Sequence, residues 1–306
     1  MIESLLEPTY DRALDARLDS YDAYIEYQQH EARRALPFLA KYFNPRAARV
    51  LEIGTGTGGK GIAYARAGMR VSAFDLDRAA LARAQIAARK LDAPIDFLST
   101  DAARLPYPNN FFDAVLLDSV IEHVSDPARV LQESWRVLKP GGITFVVFPP
   151  FFGPLSGHID DYILLPLFHL LPDAIVRRAL EARPRARGLL TPQYAYAVYK
   201  SLNRLTIGKF KRAARRAGFR FDYWRVRPFL THPGTRFAVG LLAALRQRGK
   251  NLRAVLSRAR REFSAGTFFL FLLLCALAPL VFVPILQEIA AGGCKSILRK
   301  AEKENG

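Results

Sequence analysis

The run VLEIGTGTGG at residues 50–59 constrains the fold of this chain more than any other stretch. Apolar residues followed by closely spaced glycines predict a short buried strand that ends in a tight turn, and a helix follows from about Lys60 to Ala67. Glycine lets the backbone take positive φ and lets a ligand approach it closely. The free N–H groups of the helix N-terminus suit an anionic or polar ligand group. The same glycines satisfy G-x-G-x-x-G, so a fold that binds NAD has to be considered at this point.

Strands and helices are predicted to alternate after this turn. A second strand over 69–77 ends in acidic residues, and a carboxylate about 20 residues past such glycines is placed to hold ribose hydroxyls. This holds for NAD and for S-adenosylmethionine alike. A helix is predicted over 78–91, with Asp77 as its N-cap. The remaining strands of this part are predicted at 95–99, at 111–124 (running into a helix) and at 143–148. Such alternation favours a parallel sheet with right-handed crossovers.

Five motifs occur in order between Arg49 and Phe148: VLEIGTGTG, FDLD, the Asp101-Ala102 pair, FDAVLLDSVIEHV and RVLKPGG. In this combination the chain resembles the small-molecule S-adenosylmethionine-dependent methyltransferases with a Rossmann-like fold, of the methyltransferase type 11-like kind. The resemblance implies an α/β fold with a seven-stranded, mostly parallel sheet and helices on both faces. It also implies S-adenosyl-L-methionine rather than NAD as the cofactor. Beyond this core, the sequence itself predicts helical insertions after strand five and between strands six and seven.

The resemblance also implies which residues bind the cofactor. The glycines carry the methionine part over the turn, Glu52 lies near its amino group, and Asp75 takes both ribose hydroxyls. Leu76 packs on the adenine, Asp101 accepts from the adenine amino group, and the Ala102 backbone reads the ring. The full set of expected cofactor-binding residues is Glu52, Gly54, Thr55, Gly56, Gly58, Asp75, Leu76, Asp101, Ala102, Asp118 and Ser119.

The aromatic, Pro- and Gly-rich stretch 148–162 begins where the carboxyl edge of the sheet should open, the edge at which ligands bind in such folds. We therefore expect a substrate loop here. His158, with Asp160 and Asp161 close by, is the first candidate for a catalytic base, and His123 is the second. The alternative for His158 is a surface loop in which the imidazole only makes hydrogen bonds.

Glu122-His123 suggests a second hypothesis. Quinone-pathway O-methyltransferases show a similar Glu-x-x-Glu-His run that suits a divalent cation, but here Ser119 replaces the first Glu. We therefore expect no metal from the sequence. The alternative role of Glu122 and His123 is to cap and orient the helix that follows.

The charge distribution is lopsided. Residues 173–262 carry 23 Lys and Arg against 4 Asp and Glu, although the whole chain has a net charge of +17. Such a block suits a polyanion, either a nucleic acid or an anionic membrane surface. Residues 263–287 contain no charge before Glu288 and are strongly apolar, long enough for a membrane span. Because 294–300 resembles a closing antiparallel strand that returns to the sheet, we favour a helical insertion that dips into one leaflet. A buried core helix and a true span are the alternatives.

These patterns predict an order of segments along the chain: an N-terminal helical cap at 1–48, the cofactor-binding core at 49–150 and a substrate lid at 151–206. A helix and strand six follow at 207–228, then a basic and apolar insertion at 229–290 expected at a membrane, and a last strand with its tail at 291–306.

The sequence predicts a methyltransferase that acts on a small, lipophilic acceptor, by O- or C-methylation of a quinone-, lipid- or polyketide-like molecule. We expect no nucleic-acid partner, an anionic membrane surface as a partner, and a cytoplasmic location, peripheral or monotopic at the inner face of the membrane. No secretory signal is recognised in the acidic first residues. The alternatives are a nucleic-acid methyltransferase that uses the basic block and an inactive, membrane-associated binding module.

Overall fold

The computed structural model describes residues 19–159, 163, 167–182, 189, 191–228, 280, 282–284 and 286–301. Seven strands and eight α-helices lie in this part of the chain. In order they are α1 (Tyr21–Leu39), β1 (Arg49–Ile53), α2 (Gly59–Arg66), β2 (Arg70–Phe74), α3 (Arg78–Lys90), β3 (Ile95–Leu98), β4 (Phe112–Asp118), α4 (Pro127–Val137), β5 (Leu138–Phe148), α5 (Asp173–Glu181), α6 (Pro192–Ser201), α7 (Ile207–Arg216), β6 (Phe219–Pro228), α8 (Gln287–Ala290) and β7 (Ala291–Lys300).

All seven strands form one sheet in the order β3-β2-β1-β4-β5-β7-β6. Strands β1 to β5 pair in parallel, and β7 is antiparallel to both of its neighbours, β5 and β6. This confirms the α/β, Rossmann-like, mostly parallel sheet and the antiparallel closing strand. The carboxyl ends of β1, β2 and β4 therefore meet at one edge, and the candidate site lies there.

Side chains of each strand alternate between two apolar layers. On one face, Leu51 of β1 and Leu117 of β4 pack with residues of α4 and α7. On the other, Val50 and Leu116 pack with α1, α2 and α3. Because successive strand residues point to opposite faces, both layers follow from the apolar runs in β1 and β4, which read as strands buried on both sides.

Lys300 fixes the end of β7 to the rest of the sheet. Its side chain is buried, and its Nζ donates to Asn110 Oδ1 at 2.8 Å, to Trp135 O at 2.9 Å and to Leu138 O at 2.7 Å. The ammonium group also lies 4.0 Å from the centre of the Trp135 ring. A buried cation thus satisfies two backbone carbonyls at the junction of α4 and β5.

Several predicted boundaries were wrong. Strand β4 ends at Asp118, and turns separate it from a helix that begins only at Pro127, capped by Asp126, which accepts from Ala128 N and Arg129 N. Strand β5 begins at Leu138 rather than Ile143, because Leu138 pairs with Phe112 across an irregularity in the ladder. The glycines at 141–142, typical of a turn, lie inside that strand.

The segment predicted as a membrane-associated insertion, 229–290, lies largely outside the described residues, as do Asp160, Asp161 and most of the apolar stretch at 263–287. Within the residues that are described, no helix is both long enough and apolar enough to cross a membrane.

Candidate active site

The turn between β1 and α2 has the backbone that its glycines predict. Gly54, Gly56 and Gly58 have φ of 68°, 55° and 83°. Gly54 N donates to Phe74 O at 2.9 Å, and a Cβ at Gly54 would lie 2.6 Å from a methyl of Val120. The turn therefore packs tightly between β2 and the loop that follows β4, and a larger residue at position 54 would displace the turn.

Three carboxylate groups contact this turn or the helix α2 that follows it. Glu52 Oε2 accepts from Thr55 Oγ1 at 2.8 Å, and Asp75 Oδ2 accepts from Gly56 N at 2.8 Å. Asp118 Oδ2 lies 2.8 Å from Lys60 Nζ. The structure thus brings the acidic residues expected from three separate strands around one short segment.

Glu52 is the most deeply buried of these carboxylates, at 5% exposure. Burial raises its pKa to about 7, and the hydrogen bond from Thr55 and the charge of Lys60 only partly offset this. Thr55 is itself buried, and its hydroxyl donates its hydrogen bond to the Glu52 carboxyl group. Near neutral pH this carboxyl can therefore lose its proton when a cationic group approaches.

Lys60 was not expected in the site. Burial opposes its charge, but the Asp118 carboxylate outweighs burial and raises the pKa of Lys60. Lys60 Nζ also lies 3.4 Å from Asp118 O. The signal was present in the sequence, since Lys60 is the one charged residue between Ile53 and Ala65.

The adenine side of the expected site has both polar and apolar parts. Leu76 is 70% exposed, while Ala102 is buried. One oxygen of Asp101 accepts from Ala103 N at 2.9 Å. Asp77 caps α3 by accepting from Ala79 N at 2.8 Å, as predicted for this residue. An exposed leucine beside an acidic turn offers an apolar surface on which a flat ring can pack.

Beyond β4 the chain forms a cluster of one carboxylate and two imidazoles. Glu122 Oε1 lies 3.4 Å from His158 Nε2 and 4.0 Å from His123 Nε2, and the two rings are tilted with their centres 4.9 Å apart. Glu122 is 2% exposed, whereas His123 and His158 are partly exposed. The two imidazoles that were expected as separate candidates are therefore neighbours over a buried carboxylate. Burial lowers the pKa of His123, and Glu122 partly offsets this.

Loop geometry holds this cluster together. His158 has φ of 53°, in the left-handed region that side chains rarely adopt. Asn203 Nδ2 donates to Ile121 O at 2.7 Å and to Val124 O at 2.8 Å, and Asn203 N donates to Glu122 O at 2.8 Å. One asparagine thus shapes the turn that carries Glu122 and His123. Sequence reasoning missed it, because it lies about 80 residues further along the chain.

Asp118 and Ser119 lie at the mouth of β4, between the glycine turn and this cluster. Ser119 has φ of 62°, and its N–H donates to Val147 O at 2.8 Å. The chain therefore turns sharply at Ser119. Val120, the next residue, packs against Gly54 of the glycine turn. Glu122 and His123 follow in the same loop, so only two or three residues separate this contact from the carboxylate–imidazole cluster.

The donor and acceptor set fits S-adenosyl-L-methionine, the cofactor that the fold family implies. Its amine and ribose hydroxyls need acceptors, and the carboxylates of Glu52 and Asp75 are acceptors beside the glycine turn. Its flat adenine needs an apolar surface, and the exposed Leu76 is such a surface.

Comparisons with known proteins agree with this geometry. Residues 51–146 match the family described as a methyltransferase domain. The chain is 36% identical over 121 residues to the demethylmenaquinone methyltransferase of Renibacterium salmoninarum, covering 39% of this chain and 49% of that protein. It is 38% identical over 145 residues to the demethylmenaquinone methyltransferase of Deinococcus radiodurans, covering 46% and 57%. The chain thus spans about half the length of the curated relatives it matches.

A solved S-adenosylmethionine-dependent methyltransferase from Methanosarcina mazei superposes with a TM-score of 0.51 at 18% identity, covering 87% of this chain and 98% of that one. At this identity the likeness concerns the fold. Together with the matched domain and the ordered motifs around the glycine turn, it shows that residues 51–146 form a methyltransferase domain with a Rossmann-like fold.

Proposed function

We propose that this chain transfers the methyl group of S-adenosyl-L-methionine to a small, lipophilic acceptor of the quinone type. The observation that carries the proposal is the meeting of Glu52, Asp75 and Asp118 around residues 54–60, with each carboxylate in contact with that segment. The names of the two demethylmenaquinone methyltransferases support the acceptor class.

The chemistry asks little of the protein beyond alignment. The methyl group sits on a sulfonium that the cofactor itself activates. A nucleophilic atom of the acceptor attacks the methyl carbon, the carbon–sulfur bond breaks, and its electron pair stays on the sulfur. Holding acceptor, methyl and sulfur in line supplies much of the rate.

The acceptor loses one proton in this reaction, and the cluster beyond β4 is placed to handle it. We assign His158 to the oxygen of the acceptor, with His123 as the second imidazole. Both are partly exposed above the buried Glu122, and Val120 of the same loop packs against the glycine turn. A phenolic or quinol hydroxyl beside this cluster would become more nucleophilic as its proton leaves.

The cofactor assignment is tested by calorimetric titration of the full chain with S-adenosyl-L-methionine, alongside Asp75→Ala. The matched control is Asp96→Ala, which removes an exposed carboxylate from β3. We expect binding by the intact chain and by the control, and loss of binding in Asp75→Ala. Equal affinity in all three proteins would contradict the role of Asp75, and no binding by the intact chain would contradict the proposed reaction.

The acceptor class is tested with methyl-labelled cofactor and a short-chain demethylmenaquinone reduced to its quinol. Labelled product should form with the intact chain and not with Asp75→Ala. If a panel of quinols stays unlabelled while the cofactor binds, the acceptor class is wrong and the cofactor site stands.

We also propose that the chain works as a peripheral protein at an anionic membrane surface. The charge block at 173–262 supports this, and so does the basic helix α7, whose Ile207 and Phe210 are buried while five of its other residues are Arg or Lys. Vesicles with anionic lipid should sediment the protein in a salt-dependent way, and neutral vesicles should not. Equal sedimentation with anionic and with neutral vesicles would contradict the membrane proposal. Binding of RNA but not of vesicles would favour a nucleic-acid partner.

A further inference from the structure

We infer that Glu122, His123 and His158 form a binding site for a divalent first-row transition-metal ion, contrary to the expectation drawn from the sequence. The three side chains each offer a ligand atom, and these atoms all lie within 4.8 Å of one another. The inference deepens the proposed function and rests on it for the position of the acceptor, but binding of the metal itself needs neither acceptor nor cofactor.

The first argument is the state of the Glu122 carboxylate. The group is 2% exposed, and within the described part of the chain neither of its oxygens accepts a hydrogen bond. A buried carboxylate without hydrogen bonds is costly, because water has been removed and nothing replaces it. Such a group needs a cation, and both neighbouring imidazoles direct Nε2 towards it.

The second argument is the tautomer of His123. Its Nδ1 lies 2.7 Å from Ser201 Oγ, and that hydroxyl donates its single proton to Val198 O at 2.7 Å. The hydroxyl must therefore accept from Nδ1–H, so a neutral His123 carries its proton on Nδ1. Its Nε2 then presents a lone pair to the Glu122 carboxylate. Two electron-rich atoms facing each other at 4.0 Å are stabilised by a cation between them.

The third argument is distance. Zinc binds imidazole nitrogen and carboxylate oxygen at about 2.0–2.2 Å, so neighbouring ligand atoms of a tetrahedral site lie about 3.4 Å apart. Glu122 Oε1 and His158 Nε2 are 3.4 Å apart, which is long for a hydrogen bond between them. His123 Nε2 lies 4.0 Å from Glu122 Oε1. It would have to approach that oxygen by about 0.6 Å to reach the separation of a tetrahedral site.

The surroundings have the other properties of such sites. The hydrogen bond from Nδ1 to Ser201 fixes the ring of His123, as partners outside the ligand set do in metal sites. Two imidazoles and one carboxylate suit zinc, iron, cobalt or nickel better than magnesium or calcium, which prefer oxygen. Because His123 and His158 are partly exposed, positions on the ion remain open to a ligand.

An open position next to the proposed acceptor gives the ion a chemical role. A hydroxyl of the acceptor bound to a divalent cation has a lowered pKa and releases its proton to solvent. The oxygen then carries negative charge, which the cation stabilises. In the metal-loaded protein, His123 and His158 would thus act on the acceptor's proton through the ion that they hold.

The test uses the full chain, stripped with a chelator and dialysed, and titrated with Zn²⁺ in competition with a chromophoric chelator. The variants are Glu122→Gln and His158→Asn, since asparagine tolerates the left-handed backbone at 158 better than most residues. The control is His30→Asn, which removes the imidazole of an isolated His30–Glu26 pair on α1. We expect about a 100-fold weaker affinity for Zn²⁺ in the two ligand variants and no change in the control.

Ser201→Ala tests whether the orientation of the His123 ring matters for metal binding. The variant removes the hydrogen-bond partner of His123 Nδ1 and leaves Glu122, His123 and His158 in place. We expect a 10- to 100-fold weaker affinity. Co²⁺ added to the intact chain should give the visible absorption of a four- or five-coordinate ion, which does not depend on any variant folding.

Two results would overturn the inference: an intact chain that binds Zn²⁺ no better than Glu122→Gln, or a Co²⁺ spectrum of the free hydrated ion. Titration with S-adenosyl-L-methionine separates this from failure of the proposed function. Cofactor binding and methyl transfer without Zn²⁺ binding would leave the imidazoles as the base. Zn²⁺ binding without cofactor binding would keep the metal site and remove the methyltransferase proposal.

Discussion

Lys60, in the first turn of α2, reaches the carboxylate that ends β4, with its Nζ 2.8 Å from Asp118 Oδ2. The two residues are 58 positions apart and come from the two elements that frame the mouth of the site. The ion pair is partly buried, and it links the helix that follows the glycine turn to the end of β4.

Replacing Lys60 with Met should lower the free energy of unfolding. The change leaves the partly buried Asp118 carboxylate without its cation, and a lost hydrogen bond to a charged group costs about 1.5–3 kcal/mol. Urea denaturation measures this loss. Lys90→Met is the control, since Lys90 pairs with Asp22 on the exposed surface and should leave the stability unchanged. Equal stability of the two variants would contradict a structural role for the Lys60–Asp118 pair.

Affinity for the cofactor should increase with pH up to about 7. Burial raises the pKa of Glu52 to about 7 in the free protein, so the carboxyl is largely protonated at pH 6. The cofactor's ammonium group favours the ionised form and lowers this pKa, so binding in this range releases a proton. The affinity therefore increases as pH approaches 7 and then levels off.

Titrations in buffers of different ionisation enthalpy measure the released proton at pH 6. Glu52→Gln cannot release it, so its affinity should be weaker and flat between pH 6 and 8. A variant that keeps the pH dependence of the intact chain would show that another group is responsible.

Gly54→Ala and Gly68→Ala should differ in their effect on stability. Both positions have positive φ, so alanine costs about 1–2 kcal/mol at each. At Gly54 the new methyl group also meets Val120 at 2.6 Å, whereas at Gly68 nothing lies within 4 Å. The clash should add about 1–3 kcal/mol at Gly54.

Urea denaturation of the two variants measures this difference in the free energy of unfolding. Gly54→Ala should also lose cofactor affinity, and Gly68→Ala should keep it. Equal destabilisation would mean that the loop at Val120 moves aside freely.

Lys300→Met should destabilise the whole sheet. The variant leaves Trp135 O and Leu138 O without the donor that Lys300 Nζ provides, and each buried unsatisfied group costs about 1–3 kcal/mol. We expect a loss of roughly 2–4 kcal/mol in the free energy of unfolding. Thermal unfolding beside the exposed control Lys90→Met checks this, and a matching midpoint would show that water replaces the ammonium group.

The fold could be predicted because its signals are local. The glycine turn, the cap at Asp77 and the apolar strands each depend on residues close together in the chain, and the structure confirms them. The start of strand β5 was misplaced for the same reason, since Gly141 and Gly142 locally favour a turn, although Leu138 before them and Ile143 after them both pair with β4.

The candidate site could be predicted only in part. The positions of Glu52, Asp75 and Asp118 follow from the ends of parallel strands, which meet at one edge. The contact of Glu122 with His158 depends on a loop whose path no local pattern specifies, and on Asn203, which shapes the turn from far along the chain. Pairing between distant loops is a tertiary property, so Glu122 and both histidines were singled out, but the contact of Glu122 with His158 was not predicted.

The position of β7 has a consequence for how the sheet is completed during synthesis. This strand comes after the other six in the chain, yet it lies between β5 and β6. When β6 leaves the ribosome, its neighbour does not yet exist, and its N–H and C=O groups can pair only with water or with another chain. The five parallel strands and the glycine turn can assemble first. Strand β6 joins the sheet only when β7 pairs with both β5 and β6.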